Sequence, residues 1–503
     1  MRAEDSTILR KRKQELSKRL ERRQWSAQSK PMFRAQNIHY EMADKVRAVD
    51  CGALGAFHHL ARNTGLIRAI DQKLHLLKRH LPYHESDHVL NIAYNTLAGG
   101  TCLDDIELRR NDETYMDALA ADRIPDPTTA GDFTRRFAEQ DVLSLMEAIN
   151  AIRPKIWKKR LRGSERKEAI LDIDGTLAPT TGECKEGMGL AYNGQWGYHP
   201  LLISLANTLE PLYLVNRSGN RPSHDRAAEW LDRAIALVEE SFEQVCLRGD
   251  TDFALTANFD RWTDSGVRFA FGKDATKNLV DMAEGLDRRR WRVLERRERL
   301  SSERKRRKRP VDVKEQIVVE KQYKNITLQE EHVAELSYQP SKCNRPYRVI
   351  VLRKKLLVER GQMLLCDDIR YFFYITNIQE MSPTEVVFFC NERCNQENLI
   401  EQLKNALNAL RMPVGDLVSN WAYMVMSSLA WTLKAWFALL VRDMQRRDEL
   451  LKMEFRRFLN TIVRLPTQII RGGRRIVFRI LGYNDWTRTF LQTYDTIGQL
   501  RLA

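Results

Sequence analysis

A chain of 503 residues is longer than one hydrophobic core sustains, and at roughly 150 residues per domain it predicts two to four domains. An apolar fraction of 43%, with 10 Trp and 18 Phe, excludes wholesale disorder, while 82 Lys and Arg against 67 Asp and Glu leave +15, a field that attracts polyanions, nucleic acid first among them. The 8 cysteines form no Cys-x2-Cys pair and no repeated spacing, which excludes a zinc ribbon and a disulfide framework and fits a reducing compartment; Cys390 and Cys394, one helical turn apart without His partners, read as structural.

Residues 1–40 form a basic, helix-prone arm whose start, MRAEDSTILRKRKQELSKRLERR, lacks the apolar stretch of an export signal. Over 41–160 apolar residues recur at helical spacing, as in HVLNIAYNTLAGG and VLSLMEAINAI, and predict an all-helical domain. Within it IPDPTTAGDFTRRF resembles the start of a helix-turn-helix. Pro125 and Pro127 stop the preceding element, Thr128 or Thr129 caps a new helix, and Arg135 and Arg136 project from its early turns as DNA-binding candidates; an ordinary capped surface helix fits the same letters.

From residue 161 to 285 the texture changes to short apolar runs bounded by turns: AILDIDGT, GYHPLLISLAN and EPLYLVN, a helical stretch Ala227 to Phe242, then VCLRGD and VRFAFGKD. Three hairpin-connected strands, a helix and another strand predict a mixed α/β sheet. Residues 286–380 read as a β-rich, basic insertion. It opens on a dense cationic run between Arg288 and Pro310, where Arg306 and Arg307 are candidates for phosphate contact, and continues in the strands YRVIVLRKK and IRYFFYITNI. The α/β core resumes over 381–445 and a basic tail, with RGGRR at 471–475, fills 446–503. The stretch Trp421 to Val441 has the length of a membrane span, yet Lys434 near its middle would cost at least ~2.5 kcal/mol in hydrocarbon, so a buried core helix is expected.

Three segments carry chemistry. In AILDIDGT a period of two puts Asp172 and Asp174 on one face near the end of a buried strand. That suits a phosphatase of the haloacid-dehalogenase type, with Asp172 as nucleophile and Asp174 as acid/base, or a ribonuclease-H-like sheet whose first-strand Asp binds metal; a simple strand-end turn explains it too. VCLRGDTDF ends a second strand in Asp250, with Asp252 two residues on, and serves both chemistries. The third segment runs from Arg393 to Lys404, spaced R-x3-E-x6-K around Glu397; on a continuous helix the three fall on one face, where Glu397 could bind metal and Arg393 and Lys404 meet DNA phosphates or hold the carboxylate. An i, i+4 ion-paired helix gives the same pattern. Tyr192, Asn193, Tyr198 and His199 in AYNGQWGYHP line a site or shape a hairpin turn.

Together with SDHVLNIAYNTLAGGTCLDDIELRRND, IPDPTTAGDFTRRF, LDIDGTLAPTTGECKEGMGLAYNGQWGYHPLL, LRGDTDF, RCNQENLIEQLKNAL and the helix around Trp421, this spacing resembles the DDE transposases of bacterial insertion sequences, in the branch with a Tyr-Arg-Glu-Lys motif, and the thirteen-eighty insertion-sequence family most closely, over roughly residues 80 to 440. The resemblance implies an α/β, ribonuclease-H-like mixed sheet flanked by helices, with a β-rich insertion and an N-terminal all-helical DNA-binding domain. It implies cut-and-paste transposition by a catalytic triad of Asp174, Asp250 and Glu397. These three, with Asp172 beside them, would hold two Mg2+ ions ~3.5–4 Å apart, replaceable by Mn2+. It further implies double-stranded DNA as partner, both the terminal inverted repeats of the element and the target, a homodimer in the active complex, no membrane, and a prokaryotic, nucleoid-associated setting. The position of the motif's Tyr is Cys390 here. The alternatives are the phosphatase and a catalytically inactive DNA-binding relative.

Overall fold

The computed structural model describes residues 3–20, 38–41, 43–180, 182, 184–191, 193–295, 323–360, 364–472 and 475–500. The chain divides into two compact units, each assembled from separated stretches: 1–166, 176–221 and 398–503 in the first, 167–175 and 222–397 in the second. This grouping cuts across the six consecutive segments expected from composition, because the β-rich region and the strands that carry the acids join one unit.

The second unit is built on a mixed sheet. Strands β1 (Glu168–Gly175), β2 (Gln244–Gly249) and β3 (Arg268–Lys273) run parallel, with Ile173 level with Gly249 and Gly249 level with Phe271. Helix α1 (Ala227–Glu239) connects β1 to β2 within this unit, burying Ala227, Trp230, Leu231, Ala234, Ile235 and Val238, a set at helical spacing. Helix α2 (Phe259–Asp264) lies between β2 and β3, and α3 (Lys277–Glu284) follows β3. The two-residue β4 (Arg292–Val293) then leads to three long antiparallel strands, β5 (Tyr323–Tyr338), β6 (Tyr347–Arg360) and β7 (Leu364–Thr376). The inserted region extends the sheet: β7 pairs antiparallel with β3 from Phe373 opposite Lys273 to Thr376 opposite Ala270, giving the order β4-β5-β6-β7-β3-β2-β1 in this unit. Arg306 and Arg307 lie outside the described residues.

After β7 the chain turns into α4 (Pro383–Asn391). Ser382 starts it through a reciprocal capping box, its hydroxyl accepting from the Glu385 N–H at 3.3 Å while the Glu385 carboxylate accepts from the Ser382 N–H at 2.7 Å, with Pro383 in the first turn where no N–H is needed. Val386, Val387, Phe389 and Cys390 bury against Cys246, Ala270, Val333, Ile350 and Leu352. Each large apolar side chain so buried contributes about 1.5–3 kcal/mol, which fixes the height of α4 over the sheet. Helix α5 (Cys394–Glu401) begins after a two-residue break and runs into a π turn, Gln402–Ala406.

The first unit is mainly helical and packs around a long helix, Leu417–Leu439, buried along almost its whole length. As expected, this is a core element: Lys434 is 1% exposed, donates to the Leu451 carbonyl at 2.9 Å and lies 3.7 Å from the centre of the Trp431 ring. No described helix is long and apolar enough to cross a membrane. A hairpin, Leu201–Leu205 with Glu210–Val215, is tied to it by the Trp421 and Trp431 indoles, which donate to the Leu214 and Leu209 carbonyls at 2.6 and 2.7 Å. At its turn the fully buried Glu210 accepts from the indoles of Trp157 and Trp436 at 2.7 and 2.8 Å and pairs with Arg153. The helix Pro127–Thr134 differs from its predicted form. Asp126, not a threonine, caps it, accepting from the Thr129 N–H at 2.9 Å, and it is short enough that Arg135 and Arg136 follow its C-terminal end instead of projecting from its early turns. Both are exposed, Arg135 pairing with Asp132 at 2.5 Å.

Candidate active site

The second unit brings Asp174, Asp250 and Glu397 around one guanidinium. Asp174 is the penultimate residue of β1, and Asp250 immediately follows β2, where its carboxylate accepts the Asp252 N–H at 3.0 Å and starts a 3-10 turn. Because β1 and β2 are parallel with Asp172 level with Arg248 and Ile173 with Gly249, Asp174 and Asp250 emerge one step past the last paired residues, side by side. Glu397 sits in the first turn of α5, where a carboxylate also meets the positive end of the helix. Arg393 occupies the break between α4 and α5 and forks between two of the acids, Nη1 to Asp174 Oδ2 at 2.8 Å and Nη2 to Glu397 Oε1 at 3.2 Å.

The electrostatics agree with a shared cluster. Burial pushes the Asp174 carboxyl up to about 6; Arg393 opposes this, and the neighbouring charges of Asp250 and Glu397 add to it. Asp250 is likewise raised, by burial first, against the pull of Arg393. For Arg393 burial works against the charge, but Asp174, Asp250 and Glu397 outweigh it and raise its pKa. A carboxylate that burial drives toward neutrality while a cation lies against it is a site that favours positive charge.

Asp172 has a different occupation. Its side chain is 1% exposed and both oxygens are held by its cross-strand neighbour Arg248, Nε at 2.6 Å and Nη2 at 3.0 Å. Arg248 in turn donates to the Phe389 carbonyl at 2.7 Å and stacks 4.9 Å from that ring, while the Gln396 amide donates to the Asp172 carbonyl at 2.9 Å. Both Asp172 oxygens are thus engaged by Arg248 inside the sheet, whereas Asp174 is the aspartate of this pair that meets Arg393.

Lys404 also departs from its expected place. The spacing from Arg393 assumed one continuous α-helix, but Arg393 precedes α5 and Lys404 lies in the π turn, whose wider winding breaks the common face. Cys390, at the motif's tyrosine position, is 7% exposed and packs in the core, where burial pushes its thiol up to about 12. Asn193 shapes a turn, its side-chain oxygen accepting the Gln195 N–H at 3.2 Å; Tyr198 donates to the Glu186 carbonyl at 2.8 Å, and His199 Nδ1 lies 2.9 Å from the Arg221 carbonyl. This is the structural reading of that segment; Tyr192 is outside the described residues. The i, i+4 pairing of Arg393 with Glu397 is one of the alternatives its spacing offered, while its bond to Asp174 and the partnership of Arg248 with Asp172 were missed at the level of sequence, although Arg-x-Asp on β2 against Asp-x-Asp on β1 is a legible trace of the latter.

Among the described residues no three His, Cys, Asp or Glu side chains converge closely enough to hold a metal as they stand. The reason for this trio is visible: the guanidinium lies between the carboxylates. The donor set itself, three carboxylates with hard oxygens, fits Mg2+ or Mn2+.

A mixed sheet whose adjacent parallel strands end in aspartates, with a glutamate-bearing helix behind it, defines the class of the protein as an α/β protein with an acidic cluster at its strand ends. The chain belongs to the DDE transposases, group 1, whose family model matches residues 32–502, and it is accordingly a DNA transposase. No curated protein matches it. Among solved structures it is similar to a piggyBac transposase, determined by electron cryo-microscopy as a synaptic complex with hairpin DNA, at 10% identity over 82% of each chain with a TM-score of 0.37.

Proposed function

We propose that this transposase is of the thirteen-eighty insertion-sequence kind and moves its element by cut-and-paste, with Asp174, Asp250 and Glu397 as the catalytic, metal-holding triad. The observation that carries the reading is the meeting of these three carboxylates, from two strand ends and a helix start, around the Arg393 guanidinium. Divalent ions held there, Mg2+ with Mn2+ as substitute, would activate the attacking oxygen and stabilise the leaving one, first for water at the element end and then for the freed 3′-OH on target DNA. Asp172 is not counted among the ligands in this proposal, because it is engaged by Arg248, which also holds the Phe389 carbonyl of α4.

What the chain's own residues do is then simple. The parallel strands keep Asp174 and Asp250 at fixed separation, the first turn of α5 presents Glu397, and Arg393 orients Glu397 and Asp174 together. Exposed Arg135 and Arg136 are our candidates for phosphate binding in a helical DNA-binding region, and Lys404, in the π turn after α5, is a further one; Arg306 and Arg307 belong to the same proposal on sequence alone. The partners are double-stranded element ends and target DNA, two ends implying at least two protomers, in a prokaryotic cytoplasm at the nucleoid.

The test is cleavage of DNA carrying the ends of the element in Mg2+. Asp174→Asn, Asp250→Asn and Glu397→Gln should each lower the cutting rate roughly 10^3-fold, the scale on which single transition-state stabilisers act. If all three variants cut as well as wild type, the assignment is wrong.

A further inference from the structure

Arg393 stands where a cation of another kind is wanted. It is the side chain that bridges Asp174 and Glu397, bonding Asp174 through Oδ2. Mg2+ demands near-octahedral coordination at ~2.1 Å, and a guanidinium 2.8 Å from the same oxygen would put two cations within a few ångströms of each other in a partly buried site, where their repulsion is only weakly screened. The arginine and the ion therefore compete for the same acids.

Two features let the arginine leave. Arg393 lies in the turn between α4 and α5, so its side chain can rotate without unwinding either helix. A cavity of about 370 Å³ opens beside it, lined by Arg393 with Asp250, Lys273, Asp274, Tyr371 and Phe373; its two carboxylates against one lysine, with aromatic side chains beside them, suit a displaced guanidinium.

We propose that Arg393 is a built-in counter-cation that bridges Asp174 and Glu397 beside Asp250 in the ion-free protein and swings into this cavity when a divalent ion binds, so that every ion held must first displace it. This rests on the reading of the three acids as metal ligands. It makes the site rigid before it is loaded, and it makes the apparent metal affinity weaker than three carboxylates alone would give.

The experiment is Mn2+ binding to the full-length protein without DNA, read by electron paramagnetic resonance of free Mn2+, together with melting in EDTA and in Mn2+. Arg393→Gln should bind Mn2+ about tenfold or more tightly than wild type, because the competitor is gone. It should also melt lower than wild type in EDTA and gain more from added Mn2+. Arg393→Lys, which keeps the charge but loses the fork, should fall between the two, and it decides the matter if Arg393→Gln does not fold. Wild type binding Mn2+ as tightly as or more tightly than both variants overturns the inference and leaves the triad intact. Absence of binding in wild type, both arginine variants and Asp174→Asn alike overturns the metal reading and this inference together.

Discussion

Two aspartates two residues apart on β1 have opposite fates, and the difference lies in their neighbours. Asp172 is one register step inside the sheet, opposite a buried arginine that uses both of its oxygens; Asp174 is one step beyond it, where the strand ends and the carboxylate reaches the cluster. Breaking a buried pair leaves an uncompensated charge and costs about 3–5 kcal/mol. Arg248→Leu and Asp172→Leu should therefore each lower stability by about that much in urea denaturation, whereas Asp172→Asn should leave the Mn2+ affinity of the folded protein within about twofold of wild type. A tenfold loss of affinity in Asp172→Asn would restore it to the ligand set.

At the scale of elements, the Leu417–Leu439 helix carries a cation through a core. Burial drives the Lys434 ammonium well below its ordinary range. The native state therefore binds fewer protons at this position than the unfolded chain, and the cost is largest below the native pKa and fades as pH rises toward the unfolded value near 10.4. Lys434→Met should raise stability by about 1–3 kcal/mol at neutral pH, with the advantage shrinking as pH rises toward the unfolded value, measured as urea midpoints across that range. An advantage that is constant with pH would mean that native and unfolded chains bind the same number of protons at this position, and so that burial does not shift the lysine. How much of these elements was legible in the sequence follows from what each depends on. The long helix was readable, since a charge in the middle of an apolar run argues for protein on all sides. The strand end bearing Asp174 was readable from period two and a following Gly, and that bearing Asp250 from an apolar run ending in an acid. The break before Cys394 and the π turn at Gln402 were not, because winding errors of one residue leave no mark on composition; the places of Arg393 ahead of α5 and of Lys404 in the π turn both come from them. The capping of Pro127–Thr134 by Asp126 is present in the letters, two residues ahead of the threonines that suit the role by type.

For the whole molecule, a net charge of +15 and exposed arginines predict binding to DNA that depends steeply on salt. Replacing Arg135 and Arg136 together by Gln should weaken binding uniformly across sequences and reduce the slope of log affinity against log salt by roughly 2, one for each phosphate that is no longer neutralised. An unchanged slope would remove these residues from the interface. The grouping of the chain into units was the least legible feature, because periodicity reports which face of an element is buried and nothing about which distant element buries it. Residues 176–221 have the texture of the strands before them and yet pack with the helical unit.

The discontinuity of the second unit has a consequence in time. Its first aspartate and its glutamate stand at positions 174 and 397, more than two hundred residues apart, so a ribosome adding about 5–20 residues per second needs on the order of 10–45 s to deliver the last member of the cluster after the first. Throughout that interval the nascent chain, already basic enough to touch nucleic acid, has no complete acidic cluster. If the three acids cut DNA as proposed, the transposase is inert while it is being made, and a ribosome that stalls in the long β-rich stretch releases a chain that lacks Glu397 and with it the proposed site.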